Sequence, residues 1–416
     1  MKNNKTQNIL ADETTIVYRS PDPQAIVAYS PSIDILPTGR IIVTLDRGRM
    51  MSKAPNPGLI LTSDDNGNTW QQRGEFPLAH ARCFHSKTGI YIVGHRDDIG
   101  VLRSTDNGDN WSKTAFITQG EKWHAAPTNI LYTNNKLYFV MEKIQNPPQK
   151  RWPVAWFAPV VLSADINANL LDPNCWSFSN DDLIFSKYFS KVEGLGLPFF
   201  PIGNTDPNNP TDVRYNAPLG WLEGNILQIH DTEHCWYDPN GKTFHILLRF
   251  HTGGIPNIGA ICVAREQNDG AIKVELEKAP SGINCVFLPI PGGHNKFYIT
   301  YDNKTRRYFM AASVSTDSMK WPHKLPANRF NLPSQERRYL GLFVSKSFVD
   351  WQLLGMITAG GDSPVEARNY PSMTIAGDDL LVVSRSGDKD SATAHDSNLI
   401  TFHRIKKFRT LLQPWH

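Results

Sequence analysis

Long apolar runs, a dominant charge and paired cysteines are all missing from this sequence. No stretch of its 416 residues reaches the roughly 18 apolar residues that a membrane-spanning helix needs. The five cysteines are odd in number, widely spaced and without a Cys-x-x-Cys pair, which argues against a disulfide framework or structural zinc. The 43 basic and 40 acidic residues are interspersed and leave a formal net charge of only +3. We therefore expect neither a nucleic-acid nor a membrane partner.

The N-terminus also lacks a targeting signal. Basic residues occur among the first seven positions, but no apolar segment follows them, so the sequence as it stands predicts no signal peptide. The localisation stays open between cytoplasmic and, for a chain whose signal has been removed, secreted.

The residues that are abundant favour an all-β fold. Hydrophobic residues make up 40% of the chain, and 11 Trp, 13 Tyr and 20 Phe can fill a large core. The 29 Gly and 29 Pro suit many short strands separated by turns.

One pattern occurs twice, at residues 63–70 and 104–111. Both copies have Ser, Asp, Asn, Gly and Trp at the same five offsets. Each copy predicts a tight hairpin, in which Asp65 or Asp106 caps backbone N–H groups and Gly67 or Gly108 takes a positive φ. The copies are separated by about 40 residues, the length of one four-stranded propeller blade. The pattern resembles the Asp box, or BNR repeat, of the sialidases (neuraminidases), which are six-bladed β-propellers.

Read in order, the chain predicts six four-stranded antiparallel blades in one domain spanning residues 1–416. Residues 15–18 are expected to close the ring against the last strands. Insertions on the rim are expected near residues 181–219 and 314–336, and the innermost strand of blade 4 is expected at residues 231–236.

Three matches in the later blades extend the resemblance to sialidases. Glu233 precedes Arg249 across a Pro-Asn-Gly turn, Arg337 precedes the degenerate box of blade 5, and Tyr370 begins the last blade. The resemblance implies that Tyr370 is the nucleophile, Glu233 its base, and Arg249 and Arg337 a clamp for a carboxylate. These residue types suit an acidic sugar, because a neutral Tyr avoids the repulsion that a carboxylate nucleophile would meet.

Blade 1 departs from the sialidase pattern. Sialidases supply a first clamp arginine from a Phe/Tyr-Arg-Ile-Pro element, and Ser30 occupies that place here, with Arg19 a possible substitute. The usual acid/base Asp is expected in the loop after the second strand, where Asp46 beside Arg47 is the nearest acidic residue. We take Asp46 as the candidate acid and Arg47 as a candidate substrate-binding residue.

Histidines complete the candidate set. The propeller geometry brings His124 and His294 to the channel, where both are candidate substrate-binding residues and His124 is an alternative acid. His230, His234 and His294 have no tight ligand spacing, so neither a metal nor another cofactor is predicted.

The leading hypothesis is an exo-glycosidase of the sialidase-like superfamily that acts on the terminal acidic sugar of a glycan or oligosaccharide. Two alternatives remain open: a propeller lyase or hydrolase for uronic-acid glycans, using Tyr370 or His124 as base and acid, and a carbohydrate-binding propeller without activity.

Overall fold

The computed structural model describes residues 9–48, 56–145, 153–188, 219–251, 256–317, 320, 324 and 336–414. These residues form six antiparallel sheets, each with four main strands connected as a meander, arranged as the blades of a β-propeller around a central channel. The prediction of an all-β, six-bladed propeller is confirmed.

Strand β1 belongs to the last blade, and the next strands build blades 1 to 3. The strands of this first half are β1 (Glu13–Arg19); β2 (Ala28–Ile35), β3 (Ile41–Arg47), β4 (Gly58–Ser63) and β5 (Gln71–Phe76) of blade 1; β6 (Ala79–Ser86), β7 (Gly89–Arg96), β8 (Asp98–Ser104) and β9 (Ala115–Phe116) of blade 2; β10 (Trp123–His124), β11 (Leu131–Thr133), β12 (Lys136–Ile144), β13 (Phe157–Asp165) and β14 (Ser177–Phe178) of blade 3. A single helical turn follows blade 3, α1 (Phe185–Tyr188).

Blades 4 to 6 follow the same plan, with one small extra hairpin between blades 4 and 5. The strands are β15 (Gly220–Leu227), β16 (Thr243–His251), β17 (Ile258–Glu266) and β18 (Ile272–Glu275) of blade 4; the hairpin β19 (Glu277–Lys278) and β20 (Asn284–Cys285); β21 (Phe287–Pro289), which pairs with β17; β22 (Tyr298–Asp302), β23 (Arg307–Ser313), β24 (Tyr339–Ser345) and β25 (Gln352–Ala359) of blade 5; β26 (Arg368–Ala376), β27 (Asp379–Ser386) and β28 (Leu399–Ile405) of blade 6.

The core lies between neighbouring blades rather than inside one sheet. Tyr138 and Val140 of blade 3, for example, share a cluster with Phe244 and Leu248 of blade 4, and all four are at most 1% exposed. Burying each such side chain stabilises the fold by roughly 1.5–3 kcal/mol. Within the described ranges, no helix has the length and apolar character needed to cross a membrane.

The ring closes as residues 15–18 predict, because β1 pairs antiparallel with β28 and supplies the outer strand of blade 6. The first Asp box reinforces this closure. The Thr15 hydroxyl donates to the Gly67 carbonyl at 2.6 Å, and the Trp70 indole N–H donates to Thr15 at 3.3 Å. Trp70 also meets the Phe402 ring of β28 edge-on, with centroids 5.5 Å apart.

Both Asp boxes form the same hydrogen-bonded turn. In the first, the Gly67 N–H donates to the Ser63 hydroxyl at 2.8 Å and the Thr69 N–H donates to the Asp65 carboxylate at 2.9 Å. Gly67 has a φ of 92°. The turn joins β4 to β5, at the end of blade 1 away from the last residues of β3.

Blade 4 differs from the sequence-based expectation. Its innermost strand is β15, and residues 231–236 lie instead in the turn between β15 and β16. A bulge at Glu223 and Gly224 interrupts the alternation of β15, whereas Asp231 organises the turn by accepting the Glu233 N–H at 3.0 Å. The expected insertions near 181–219 and 314–336 lie largely outside the described residues, and the single-domain assignment remains a prediction.

The two box glycines offer a matched test of the ring closure. A Cβ at Gly67 would lie 2.4 Å from the Phe402 ring, whereas a Cβ at Gly108 would meet nothing closer than 3.9 Å. Both glycines have left-handed φ values, so either alanine costs about 1–2 kcal/mol in backbone strain. We expect Gly67→Ala to lower the urea-unfolding free energy by about 1–3 kcal/mol more than Gly108→Ala, because it also displaces β28. Equal losses would contradict the closure role of the first box.

Candidate active site

Four of the six blades share a bulge in the innermost strand. In β2, β6, β15 and β26, two residues of the inner strand lie opposite one of the second strand. The first bulged residue has a positive φ in each case, and the four are Ser30 (42°), His80 (51°), Glu223 (58°) and Tyr370 (50°). Such φ values are uncommon outside glycine and concentrate at functional sites.

Arg249 connects two of these bulges across the channel. Its Nη1 donates to the Tyr370 hydroxyl at 2.8 Å and to Glu223 Oε2 at 3.1 Å. Its Nε donates to the His294 carbonyl at 3.0 Å, which fixes the guanidinium plane. All three side chains are at most 7% exposed. Blades 4 and 6 therefore meet at a Tyr–Arg–Glu cluster.

Two further arginines contact the Tyr370 ring. The Arg385 guanidinium carbon lies 3.7 Å from the centre of that ring and 4.0 Å from the centre of the Tyr29 ring, so Arg385 is sandwiched between two aromatic rings. The Arg337 guanidinium carbon lies 5.4 Å from the Tyr370 ring, and its Nη1 donates to the Asn369 side chain at 3.2 Å. Three buried cations thus surround one phenol.

Arg385 contacts the ring of Tyr29, the residue next to Ser30, and so brings a guanidinium group to the strand where the sequence has Ser30 in place of an arginine. It comes from β27, the second strand of blade 6, and its Nη1 donates to the His395 carbonyl at 3.2 Å. Its buried Nε has no hydrogen-bond partner among the described residues. Arg19, the substitute considered from the sequence, has a 51% exposed side chain and pairs with Asp388 instead.

The charges of this cluster are maintained by proximity. Burial alone would raise the pKa of Glu223, but the Arg249 guanidinium and other neighbouring cations outweigh it and hold that pKa below its usual range. Burial lowers the pKa of Arg337 to about 10, which still leaves it charged at neutral pH. The cluster is therefore an anionic carboxylate within an excess of positive charge.

Asp46 lies at the same mouth of the channel, on β3 next to Tyr29. Its Oδ2 accepts the His80 backbone N–H at 2.7 Å, and its Oδ1 is buried without a partner among the described residues. Burial raises its pKa to about 7, although the backbone N–H groups of His80 and Ala81 partly oppose this shift. A carboxyl group that titrates near neutrality can both give and accept a proton there.

The structure separates the eight residues selected from the sequence into two groups. Tyr370, Arg249, Arg337 and His294 converge, with Asp46 and His124 at the same mouth. Glu233 does not join them: it is exposed on the turn between β15 and β16, at the opposite end of blade 4 from Arg249. Arg47 is likewise elsewhere, since its Nη2 donates to Glu75 at 2.7 Å and its Nε to the Pro57 carbonyl.

Glu223 thus replaces Glu233 as the carboxylate beside Tyr370. Sequence reasoning missed it because a bulge breaks the strand pattern. It missed Arg385 because that residue lies near the end of a strand with no distinguishing pattern. The signal was the repeated relation between strands: Arg249, Arg385 and Asp46 each pair with the residue just before a bulge.

His80, whose backbone N–H bonds Asp46, belongs to a group of three histidines. Glu142 Oε2 accepts from His124 Nδ1 at 2.9 Å, and the His124 ring lies 5.1 Å from that of His80. His95 contacts His80 through ring nitrogens 3.3 Å apart. Among the residues that the structure describes, no group of three His, Cys, Asp or Glu side chains has an arrangement that could hold a metal ion.

A separate cavity of about 510 Å³ opens at the other mouth of the channel, on the Asp-box side. Asp34, His85, Tyr132 and Tyr301 line it, and none of the eight candidate residues does.

Comparisons with known proteins agree with the fold. No family model matches the sequence, and no curated protein matches it either. Among solved structures, the Penicillium chrysogenum alpha-L-arabinanase complexed with arabinobiose superposes with a TM-score of 0.51 at 12% identity, covering 96% of this chain and 99% of that one. A Hadza microbial sialidase gives 0.54 at 12% identity over 95% and 69% of the two chains. The Trypanosoma rangeli sialidase in complex with the inhibitor DANA gives 0.51 at 12% identity over 97% and 61%.

These neighbours are glycoside hydrolases of two specificities, sialidases and arabinanases. At this identity the likeness establishes the fold that the chain shares with them. The chemistry of the site has to be argued from its own residues.

The raised pKa of Asp46 predicts a pH-dependent cost to stability. Between the unfolded pKa near 4 and the folded pKa of about 7, the unfolded chain holds fewer protons than the folded one, so wild-type stability falls as the pH rises. Asp46→Asn removes this effect. We expect its stability relative to wild type to increase by roughly 2–4 kcal/mol between pH 4 and pH 8. Denaturant unfolding at both pH values measures the difference, and parallel pH profiles would refute it.

Proposed function

We propose that this chain is an exo-glycosidase that cleaves a terminal acidic sugar from a glycan, with Tyr370 as nucleophile and Glu223 as its base. One observation carries the proposal: the Tyr370 hydroxyl and the Glu223 carboxylate share the Arg249 guanidinium, at 2.8 and 3.1 Å. An isolated Tyr, with a pKa near 10, is a weak nucleophile at neutral pH. A neighbouring base and surrounding cations are what it needs to react.

The arginines give the reason for an acidic substrate. Arg249, Arg337 and Arg385 are buried around one ring, where desolvation disfavours the charged form, and the Glu223 carboxylate pairs with Arg249. A sugar carboxylate would further stabilise these cations, and guanidinium groups bind carboxylates through paired, charge-assisted hydrogen bonds. A carboxylate near the anomeric carbon would also repel an Asp or Glu nucleophile, which favours a phenol in that role.

The residues suffice for a double displacement. In the first half, the Asp46 carboxyl gives its proton to the glycosidic oxygen as the bond to the anomeric carbon breaks. The Tyr370 oxygen bonds to that carbon while Glu223 accepts the phenol proton. In the second half, the Asp46 carboxylate takes a proton from water, whose oxygen bonds to the anomeric carbon, and Tyr370 leaves with the proton that Glu223 returns. Two inversions retain the configuration.

The arginines also give a reason to choose between the neutral and the acidic sugars of the structural neighbours. The arabinanase was solved with arabinobiose, a neutral sugar, and the sialidases act on an acidic one. A neutral arabinose unit would offer these arginines no anion, so we favour the acidic class. Turnover of arabino-oligosaccharides, with none of sialosides or uronic-acid glycosides, would reverse that choice. Release of an unsaturated, ultraviolet-absorbing product would indicate a lyase, and binding without turnover a carbohydrate-binding propeller.

Removing the Tyr370 hydroxyl tests the nucleophile. Tyr370→Phe keeps the ring between the arginines but cannot form the bond to the anomeric carbon. We expect turnover of a fluorogenic acidic glycoside to fall by roughly three orders of magnitude or more, with the melting temperature nearly unchanged. Tyr301→Phe, which alters a tyrosine at the far cavity, is the control. Full activity in Tyr370→Phe would overturn the mechanism.

The clamp has its own matched control. Arg337→Ala should weaken calorimetric binding of N-acetylneuraminic acid or glucuronic acid by about 1.5–3 kcal/mol, the usual loss when a charged hydrogen-bond partner is removed. Arg385→Ala should do the same. Arg47→Ala should bind like wild type, because Glu75 and Pro57 hold that side chain away from Tyr370. Losses of equal size in all three variants would point to general charge rather than a clamp.

A further inference from the structure

The side of the channel mouth opposite the arginines is lined by histidines. His80 is the bulged residue of β6, in the place that Glu223 and Tyr370 occupy in their own blades. His95 lies on the second strand and pairs with the residue before the bulge, as Arg249 and Arg385 do. In blade 2, therefore, the first bulged residue and the residue on the second strand are both histidines, whereas in blades 4 and 6 the same two positions hold the Tyr–Arg–Glu cluster and Arg385.

These imidazoles form one compact group with His124 of blade 3. The centroid of the His80 ring lies 5.3 Å from that of His95 and 5.1 Å from that of His124. The centroids of the His95 and His124 rings are 6.2 Å apart. Glu142 supports the group: one carboxylate oxygen bonds His124 at 2.9 Å and the other accepts the Gly224 N–H at 3.3 Å. We call His80, His95 and His124 the histidine face.

Within the histidine face, His80 and His95 contribute hydrogen-bonding groups that carry no charge at neutral pH. Burial holds the pKa of His80 well below its usual range, with His124, His95 and Arg385 adding to the effect. Burial and His124 lower the pKa of His95 to about 3. A neutral imidazole has one donor and one acceptor nitrogen, which suits a hydroxyl or an amide.

The histidine face also adjoins the candidate acid. The His80 backbone N–H donates to Asp46 at 2.7 Å, and Arg385 is close enough to Asp46 and to His80 to lower the pKa of both. A sugar ring whose carboxylate reached the arginines and whose glycosidic oxygen reached Asp46 would therefore present another edge to His80 and His95.

We propose that His80 and His95 form a specificity subsite for an uncharged hydroxyl or acylamino group of the same sugar whose carboxylate the arginines bind. This inference rests on the proposed function. Within that function it favours an uncharged substituent on this edge of the sugar, because a sulfate, phosphate or second carboxylate there would face two imidazoles in place of guanidinium groups.

The test compares two variants of His95 with a distant control. His95→Leu introduces an apolar side chain of similar size that cannot form hydrogen bonds. His95→Gln instead provides a donor and an acceptor. His403→Gln removes another fully buried histidine, which bonds to Ser384 and Thr401 in blade 6, and so controls for a general loss of stability. Calorimetry with N-acetylneuraminic acid, which carries an acylamino group, and glucuronic acid, which carries hydroxyls, measures affinity for both chemistries.

We expect His95→Leu to weaken at least one of the two acids about 3- to 10-fold, as for one neutral hydrogen bond, with recovery in His95→Gln and no change in His403→Gln. The acid that responds identifies the substituent. Unchanged affinity for both acids in a folded His95→Leu, while Arg337→Ala still weakens them, overturns the subsite and leaves the proposed function intact. If neither acid binds wild type, or Arg337→Ala binds both unchanged, the acidic-sugar function fails and the subsite with it.

Discussion

The site depends on a backbone constraint, the left-handed residue that begins the bulge of four innermost strands. In a regular strand successive side chains alternate between the two faces of the sheet, which here are covered by neighbouring blades. A bulge adds one residue and redirects the side chain, so Ser30, His80, Glu223 and Tyr370 leave that alternation. Each positive φ costs of order 1–3 kcal/mol. The paired strands on both sides of the bulge maintain it.

The same constraint explains why a small number of contacts is enough to position the arginines of the site. Because the residue before each bulge still pairs with the second strand, Arg249 and Arg385 are held at fixed register beside Glu223 and Tyr370. The backbone carbonyls of His294 and His395 orient the two guanidinium groups, and Arg249 also pairs with the Glu223 carboxylate. A carbonyl orients a cation without neutralising it, so Arg385 contributes positive charge that an anionic ligand would meet.

Local patterns in the sequence were enough for the fold. Each copy of the repeat predicts a turn from its own residues, and the spacing of the two copies gives the length of a blade. Six blades and the closing strand at residues 15–18 could therefore be predicted without long-range information. Tyr370 and Arg249 were selected because each lies in a recognisable strand. Glu233 was selected in place of Glu223 because a bulged strand, with Glu223 and Gly224 in its middle, looks like a loop, whereas the polar turn beginning at Asp231 looked like the innermost strand.

Arg385 was beyond local reasoning for a different reason. Its contact with Tyr29 joins positions far apart in sequence, and no pattern around residue 385 distinguishes it from any arginine at a strand end. What identifies it is its register opposite Asn369, which only the assembled blade supplies.

The low identity to the structural neighbours, 11–13%, is compatible with a fold in which the backbone sets the positions of the site and the residue types at those positions vary. A bulge fixes where a side chain enters the channel but leaves its identity open, so one propeller can hold a phenol, a carboxylate, an imidazole or a hydroxyl at equivalent positions. In this chain the arginines of the site come from blades 4 to 6, and the histidine face comes from blades 2 and 3. The two halves are also coupled, because Arg385 helps to lower the pKa of His80 across the channel. The positive charge that would attract a carboxylate to one side thereby disfavours a charge on His80 on the other side. An anion bound by the arginines would offset part of this effect, so the two sides of the channel mouth are linked through charge.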